Sequence, residues 1–290
     1  MTETPKAVAN SAQSEYWNAK AGDAWTQNQA IMDHLLSGPG RRLFEHAAIK
    51  AGERVLDIGC GTGATVLAAA DAVGPEGGVL GIDLSHAMLD LARSRAKQHA
   101  GTAELMFEIA DAQSHQFAAG RHDLLLSRFG VMFFEDPTAA FANLLTALRP
   151  GGRLCFVCWA PMAENPWFFI PRDAAIKFLG APEAAPPRAP GPLAFADTDY
   201  VTEILTGAGF RDISVLSETV DLTPISDLIE AADYALNIGP ASRIIANHDP
   251  SPETLAAIGA EIESRLSVYY DGTDEARVPS SLHFVQARRP

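Results

Sequence analysis

An aspartate, Asp57, stands two residues ahead of three glycines at alternate positions, Gly59, Gly61 and Gly63. Two more acids, Asp83 and Asp111, follow later apolar runs. Glycine permits φ > 0 and lets a ligand approach where a Cβ would block it. Val55-Leu56 before the glycines and Val66 to Ala70 after them make the stretch strand, tight turn and helix. The first N–H groups of such a helix are unpartnered and point at whatever the turn holds. Asp83 comes about 20 residues beyond the turn, where a carboxylate accepts hydrogen bonds from ribose hydroxyls. Its other reading is a helix cap, a duty Ser85 could supply instead. Asp111 closes the run Leu105 to Ile109 and is placed either for an adenine amino group or as a turn residue. Ser127-Arg128 ends a fourth run, with Arg128 open to a ligand or to an acid such as Glu135.

Asp57-Ile58-Gly59-Cys60-Gly61-Thr62-Gly63 resembles the first motif of the class I S-adenosylmethionine-dependent methyltransferases, where an acidic residue precedes Gly-x-Gly-x-Gly. The resemblance implies S-adenosyl-L-methionine as cofactor and S-adenosyl-L-homocysteine as product. It implies a cofactor site made of Asp57, Gly59, Cys60, Gly61, Thr62 and Gly63, then Asp83, Leu84 and Met88, then Asp111, Ala112 and Gln113, and then Ser127 and Arg128. An early Tyr-Trp pair near the methionine end is also similar, which adds Tyr16 and Trp25, although these aromatics serve equally to pack helices on the core. Leu148-Arg149-Pro150-Gly151-Gly152 resembles the turn before the family's fifth strand. The likeness is closest over Arg54 to Trp159.

Gly59-x-Gly61-x-x-Ala64 also satisfies the looser dinucleotide fingerprint, so an NAD(P)-dependent oxidoreductase is the alternative. Asp57 separates the two, because a carboxylate there repels a pyrophosphate yet suits an amino group and a sulfonium charge. A third reading is a non-catalytic member that keeps the cofactor site. Methyl transfer is an in-line displacement on an activated methyl, so the protein chiefly aligns its partners and excludes water. A base is needed only where the acceptor keeps a proton, and no catalytic residue stands out.

The elements that position these residues follow from periodicity. Residues 15 to 36 read as amphipathic helices, broken at Ser37-Gly38-Pro39-Gly40, and Leu43 to Ile49 resumes a helical period. Ala64 to Val73, His86 to His99, 138 to 148 and Thr198 to Ala208 read as helices, with Arg93, Arg95 and Lys97 mostly exposed. Strands are predicted at Val79 to Ile82, Leu105 to Ile109, Asp123 to Ser127, Arg153 to Trp159, Ile213 to Leu222 and Ser281 to Ala287. Alternating elements give an α/β, doubly wound, mostly parallel seven-stranded sheet with helices on both faces; the family's layout implies an antiparallel last strand. The division expected is an N-terminal helical cap (1–52), a cofactor-binding core (53–160), a lid insertion (161–196), more core (197–222), a helical lid (223–275, with helices at Ser226 to Ile238 and Ser251 to Tyr269) and the last strand (276–290). Trp167 to Phe169, Tyr234, Tyr269 and Tyr270 are expected over an apolar chamber for a small organic acceptor, or as a separate core; Pro182 to Pro192 is expected to be irregular.

The 290 residues, 47% hydrophobic and 20% charged, are those of a globular protein. A net charge of −14 opposes binding a phosphate backbone, so nucleic acid is not expected as a partner. No apolar run approaches the roughly 20 residues of a membrane span, and Met1 to Ser14 is polar, which makes the cytoplasm the expected location. Cys155 and Cys158 lie three apart on a strand and so on opposite faces, which suits burial rather than redox or metal work. Of eight histidines, His34 is the one on a segment that could face an acceptor, with a surface role the simpler reading. A monomer or homodimer is expected.

Overall fold

The computed structural model of the chain describes residues 10–183, 186–223, 228–270 and 277–290. The predicted polar start at residues 1–9 and the predicted helix onset at Ser226 lie outside the described residues, as does the 275/276 boundary.

Seven strands form one sheet in the order β3-β2-β1-β4-β5-β7-β6. They are β1 (Arg54–Ile58), β2 (Gly78–Asp83), β3 (Glu104–Ile109), β4 (His122–Arg128), β5 (Leu148–Trp159), β6 (Arg211–Leu222) and β7 (Val278–Arg288). β1 to β5 run parallel, and β7 lies antiparallel between β5 and β6. Buried on both faces, the central strands carry near-continuous apolar runs such as Leu124-Leu125-Leu126 and Phe156-Val157. The chain winds outward from β1 through β2 to β3, then returns to place β4 on the other side of β1. Above the carboxyl ends of β1 and β4 the connections diverge, and such a crevice is where doubly wound sheets bind ligands.

The helices that shape this crevice are α1 (Ser11–Trp17), α2 (Lys20–Gln27), α3 (Gln29–Leu35) and α4 (Ser37–Ala47) ahead of the sheet. α5 (Ala64–Val73) and α6 (His86–Gln98) follow the first two strands. α7 (Pro137–Ala147), α8 (Pro166–Leu179), α9 (Thr198–Gly207), α10 (Leu228–Asn237), α11 (Pro240–His248) and α12 (Pro252–Leu266) complete the described helices. α5, α6 and α7 start and stop where glycine, serine and proline signals put them: Ser85 and Asp136 accept capping bonds from Met88 and Ala139.

Four local expectations are corrected. Ser37-Gly38-Pro39-Gly40 does not break the helical segment but forms the first turn of α4. Pro39 stands there where the missing N–H costs nothing, while a Cβ on Gly38 would lie 2.4 Å from the Asp221 carbonyl oxygen of β6. Arg149-Pro150-Gly151-Gly152 is the start of β5, whose register against β4 shifts between His122 and Leu124. The lid insertion expected at 161–196, for which no helix was predicted, contains α8, which is apolar nearly all round, burying Trp167, Phe168, Ile170, Pro171, Ala174 and Ala175, and so lacks the stripe by which a surface helix is recognised. α11 likewise fills a stretch read as connection. Among the described residues no helix is long and apolar enough to cross a membrane.

Candidate functional site

The glycine turn is pinned to β2. The N–H groups of Gly59 and Cys60 both donate to the Ile82 carbonyl, at 2.9 and 3.0 Å. Gly59, Gly61 and Gly63 have φ of +65°, +53° and +86°, which only glycine adopts without strain. A Cβ on Gly59 would meet Gly130 Cα at 2.6 Å, so two backbones touch where β1 and β4 end. Phe129, just before Gly130, has φ +64°, a strained conformation for an aromatic residue. It is held by its N–H bond to Val157 and by stacking on Trp159 at 4.5 Å. Ser127 ties the same corner together: its hydroxyl donates to Ile58 O at 2.7 Å and accepts from Gly130 N–H at 3.1 Å.

Asp57 lies fully buried under the turn. One carboxylate oxygen accepts from the Thr65 hydroxyl, and the other, Oδ1, has no protein partner. Burial pushes its pKa up to about 7; the Thr65 bond and the Arg128 charge pull it down, and Asp83 pushes it up. Asp83 accepts from Gly61 N–H at 2.8 Å and Ser85 N–H at 2.9 Å. Its pKa is raised by burial against the opposing backbone bonds. Ser85 caps α6, which leaves Asp83 with spare acceptor capacity beside the turn. Met88 Sδ packs 3.7 Å from where a Cβ of Gly61 would be. Cys60 is buried, and burial raises its thiol pKa, which makes it an inert wall rather than a nucleophile.

Asp111 is a turn residue as well as a candidate acceptor: it takes bonds from Gln113 N–H at 3.0 Å and the Ser114 hydroxyl at 2.9 Å. Ala112 O is engaged by Asn143, and Gln113 Oε1 by Asp136 N–H.

The segment before β1 is strapped onto these carboxyl ends at three points that the sequence reading missed. Asn10, 3% exposed, donates from Nδ2 to Asp111 Oδ1 at 2.8 Å and is clasped by Glu135 through two further bonds. Asn18 donates to Leu84 O at 2.9 Å and accepts from His86 N–H at 3.0 Å. Asp33 pairs with Arg95 at 2.7 Å, and Arg95 donates to Thr62 O at 2.8 Å. Arg95 is therefore not the exposed residue predicted but a brace for the glycine turn. Arg128 approaches Asp33 at 3.9 Å rather than the anticipated Glu135, and burial lowers its pKa. The bonds made by Asn10, Asn18 and Asp33 join residues 62 to 125 positions apart. Two asparagines flanking α1 and one aspartate of α3 were the only signal for them.

Asp57, the three glycines, Cys60, Thr62, Asp83, Leu84, Met88, Asp111, Ala112, Gln113, Ser127 and Arg128 thus gather at the carboxyl ends of β1 to β4. Tyr16 is 41% exposed and lies against Trp17 and Arg243 of α11, and Trp25 packs edge-on against Trp17. The aromatic insertions favour the separate-core reading: Trp167 stacks on Tyr234 and Phe168 packs edge-on against Trp159, all buried. Cys155 Sγ faces Leu43 O and Cys158 Sγ faces Phe195 O and His283 O, on opposite sides of the sheet, and all three cysteines are free. His34 is exposed.

A family model described as a methyltransferase domain matches residues 55–152, the stretch that contains this site. The chain is 34% identical to aklanonic acid methyltransferase of Streptomyces sp. (strain C5) over 148 residues, 50% of this chain and 67% of that protein. It is 27% identical to nocamycin O-methyltransferase of Saccharothrix syringae, over 80% of this chain and 84% of the relative. In fold it matches Haemonchus contortus phosphoethanolamine N-methyltransferase 2, solved with phosphomonomethylethanolamine and S-adenosylhomocysteine, with a TM-score of 0.59 at 19% identity over 99% of this chain. The chain spans 61% of that solved protein's length. A parallel sheet with β7 inserted antiparallel, an acid-led glycine turn and these relatives make the chain a member of the class I S-adenosylmethionine-dependent methyltransferases of small molecules.

Proposed function

We propose that the carboxyl ends of β1 to β4 bind S-adenosylmethionine and that the chain passes its methyl group to an oxygen of a small organic acceptor. The observation that carries this is the unpartnered, buried Oδ1 of Asp57 at the foot of the glycine turn. A buried acceptor without a donor is costly; an ammonium group satisfies it, and a pyrophosphate would be repelled. Asp83 then accepts from the ribose hydroxyls, Asp111 and Gln113 border the base, and Gly59 to Gly63 let the ligand lie against backbone. The cofactor supplies an electrophilic methyl on a sulfonium. The protein's part is alignment and exclusion of water, which needs no catalytic triad. Oxygen as the acceptor atom is supported by the relative named as an O-methyltransferase, which matches across most of both chains. Residues 10–52 and the described parts of 161–196 and 223–275 cap the core in this reading, and the protein works in the cytoplasm as a monomer or homodimer.

The test is calorimetric titration of the wild type and Asp83→Ala with S-adenosylmethionine, S-adenosylhomocysteine and NADH. Micromolar binding of the first two, weakened at least about tenfold in the variant, is the expected result. Binding of NADH alone overturns the reading.

A further inference from the structure

Behind the Asp57–Thr65 pair, a cavity of about 210 Å³ opens between α4 and α5, a volume equal to about seven waters. Ser37, Gly40, Arg41 and Phe44 of α4 line one side, spaced as a single helical stripe, and Ala64, Thr65 and Ala68 of α5 line the other. Arg128 closes the inner end. Its guanidinium makes no hydrogen bond among the described residues, and its nearest acid is Asp33 at 3.9 Å. That acid is already engaged by Arg95 and Gln29. Arg41, on the outer rim, has no ion pair among the described residues. Gly40 borders the guanidinium: a Cβ there would come into ordinary contact with Arg128 Nη1, at 3.4 Å. Gly63 caps α5 without a side chain, so the first N–H groups of that helix add positive potential to the cavity wall. In a chain with a net charge of −14, an exposed arginine without an ion pair among the described residues and a buried one held only loosely by Asp33, at 3.9 Å, share one cavity and mark a place for an anion.

We propose that this cavity is the anion-binding end of the acceptor site, so that the acceptor is a small organic acid whose carboxylate is held by Arg41 and Arg128. Phe44, Ala64 and Ala68 supply an apolar wall for the carbon frame, and a planar guanidinium matches a carboxylate with two parallel hydrogen bonds. The buried Asp57 carboxyl is the opposing charge nearby, and Thr65 stands between it and the cavity with its hydroxyl bonded to Asp57. The inference rests on the cofactor reading above, which the experiment tests separately.

Benzoate and benzyl alcohol are titrated into wild type and Arg41→Gln, each saturated with S-adenosylhomocysteine. S-adenosylhomocysteine and 5′-methylthioadenosine, which lacks the amino-acid end, are titrated into both proteins alone. The expected result is benzoate binding without benzyl alcohol binding, weakened about tenfold or more in Arg41→Gln, with affinity for S-adenosylhomocysteine unchanged. No benzoate binding to wild type, or equal binding to Arg41→Gln, overturns the proposal. It is also overturned if Arg41→Gln weakens S-adenosylhomocysteine and spares 5′-methylthioadenosine, for then the cavity holds the cofactor's own carboxylate. If S-adenosylhomocysteine fails to bind wild type at all, the cofactor reading falls, and the benzoate comparison run on the unloaded proteins still decides whether the cavity takes an acid.

Discussion

The carboxyl ends of β1 to β3 and the aromatic layer beyond β5 are assembled from opposite chemistry. The first is a shell of short polar bonds in which Asp83, Asp111, Asn18 and Arg95 each engage backbone groups, while Asp57 keeps one oxygen in reserve. The second consists of rings that engage one another, Phe129 on Trp159, Trp159 on Phe168 and Trp167 on Tyr234. Polar bonds fix positions to tenths of an ångström and leave defined vacancies for a ligand's donors and acceptors. Ring packing fixes shape and contributes stability through buried area. The contrast assigns binding specificity to one half of the molecule and stability to the other.

Trp167→Ala puts the largest strain on that contrast. Emptying a buried tryptophan costs about 3–5 kcal/mol, so thermal or urea unfolding should show a large loss while affinity for S-adenosylhomocysteine holds. Retained stability with lost turnover would make Trp167 a wall of the acceptor chamber instead. Gly59→Ala is expected to do the reverse. Its Cβ meets the Gly130 backbone at 2.6 Å and its φ is +65°, so stability falls by about 1–3 kcal/mol and calorimetry should find no cofactor binding.

Asp57→Asn sharpens the comparison through pH. Burial raises the Asp57 pKa from 3.8 to about 7, so between those values the folded protein holds a proton that the unfolded chain releases. This contribution to stability is present at low pH and is lost as pH rises through about 7. The asparagine variant without ligand should therefore be more stable than wild type at pH 8, by up to about 4 kcal/mol, with the difference vanishing toward pH 4. It should also bind S-adenosylmethionine more weakly at pH 8. Melting curves at pH 5 and pH 8 check the first claim, and a variant less stable at pH 8 would refute it. The smallest effect belongs to Asn10→Ala. Loss of its clasp should cost about 1 kcal/mol, and opening one acceptor position on Asp111 Oδ1, which keeps its bond from Gln113 N–H, should tighten S-adenosylhomocysteine about threefold. Weaker binding instead would mean that Asn10 closes over the ligand rather than competing with it.

Much of the polar half was legible in the sequence because its signals are local. The acid, the three glycines and the acids ending β2 and β3 fall within a few residues of strand ends that hydrophobic periodicity locates, and strand ends of a doubly wound sheet converge. Arg95 was misread because a helix stripe reports only which side chains avoid the core. It does not report that a long guanidinium reaches back to Thr62. The helix α8 went unread because a segment apolar on all sides carries no period. Ser37 to Gly40 misled because proline and glycine end helices in general, yet one proline in a first turn and glycines under a close backbone are compatible with a helix.

The sequence by itself therefore determined the parallel order of elements, the glycine turn and the acids around it, since each depends on residues adjacent in the chain. Only the tertiary structure decided that Asn10, Asn18 and Asp33 strap the cap to those strand ends, that Asp57 keeps one oxygen unpartnered, and that Arg41 and Arg128 share a cavity. Those facts join side chains separated by dozens of residues, and nothing in local spacing records where a folded chain brings two distant positions together.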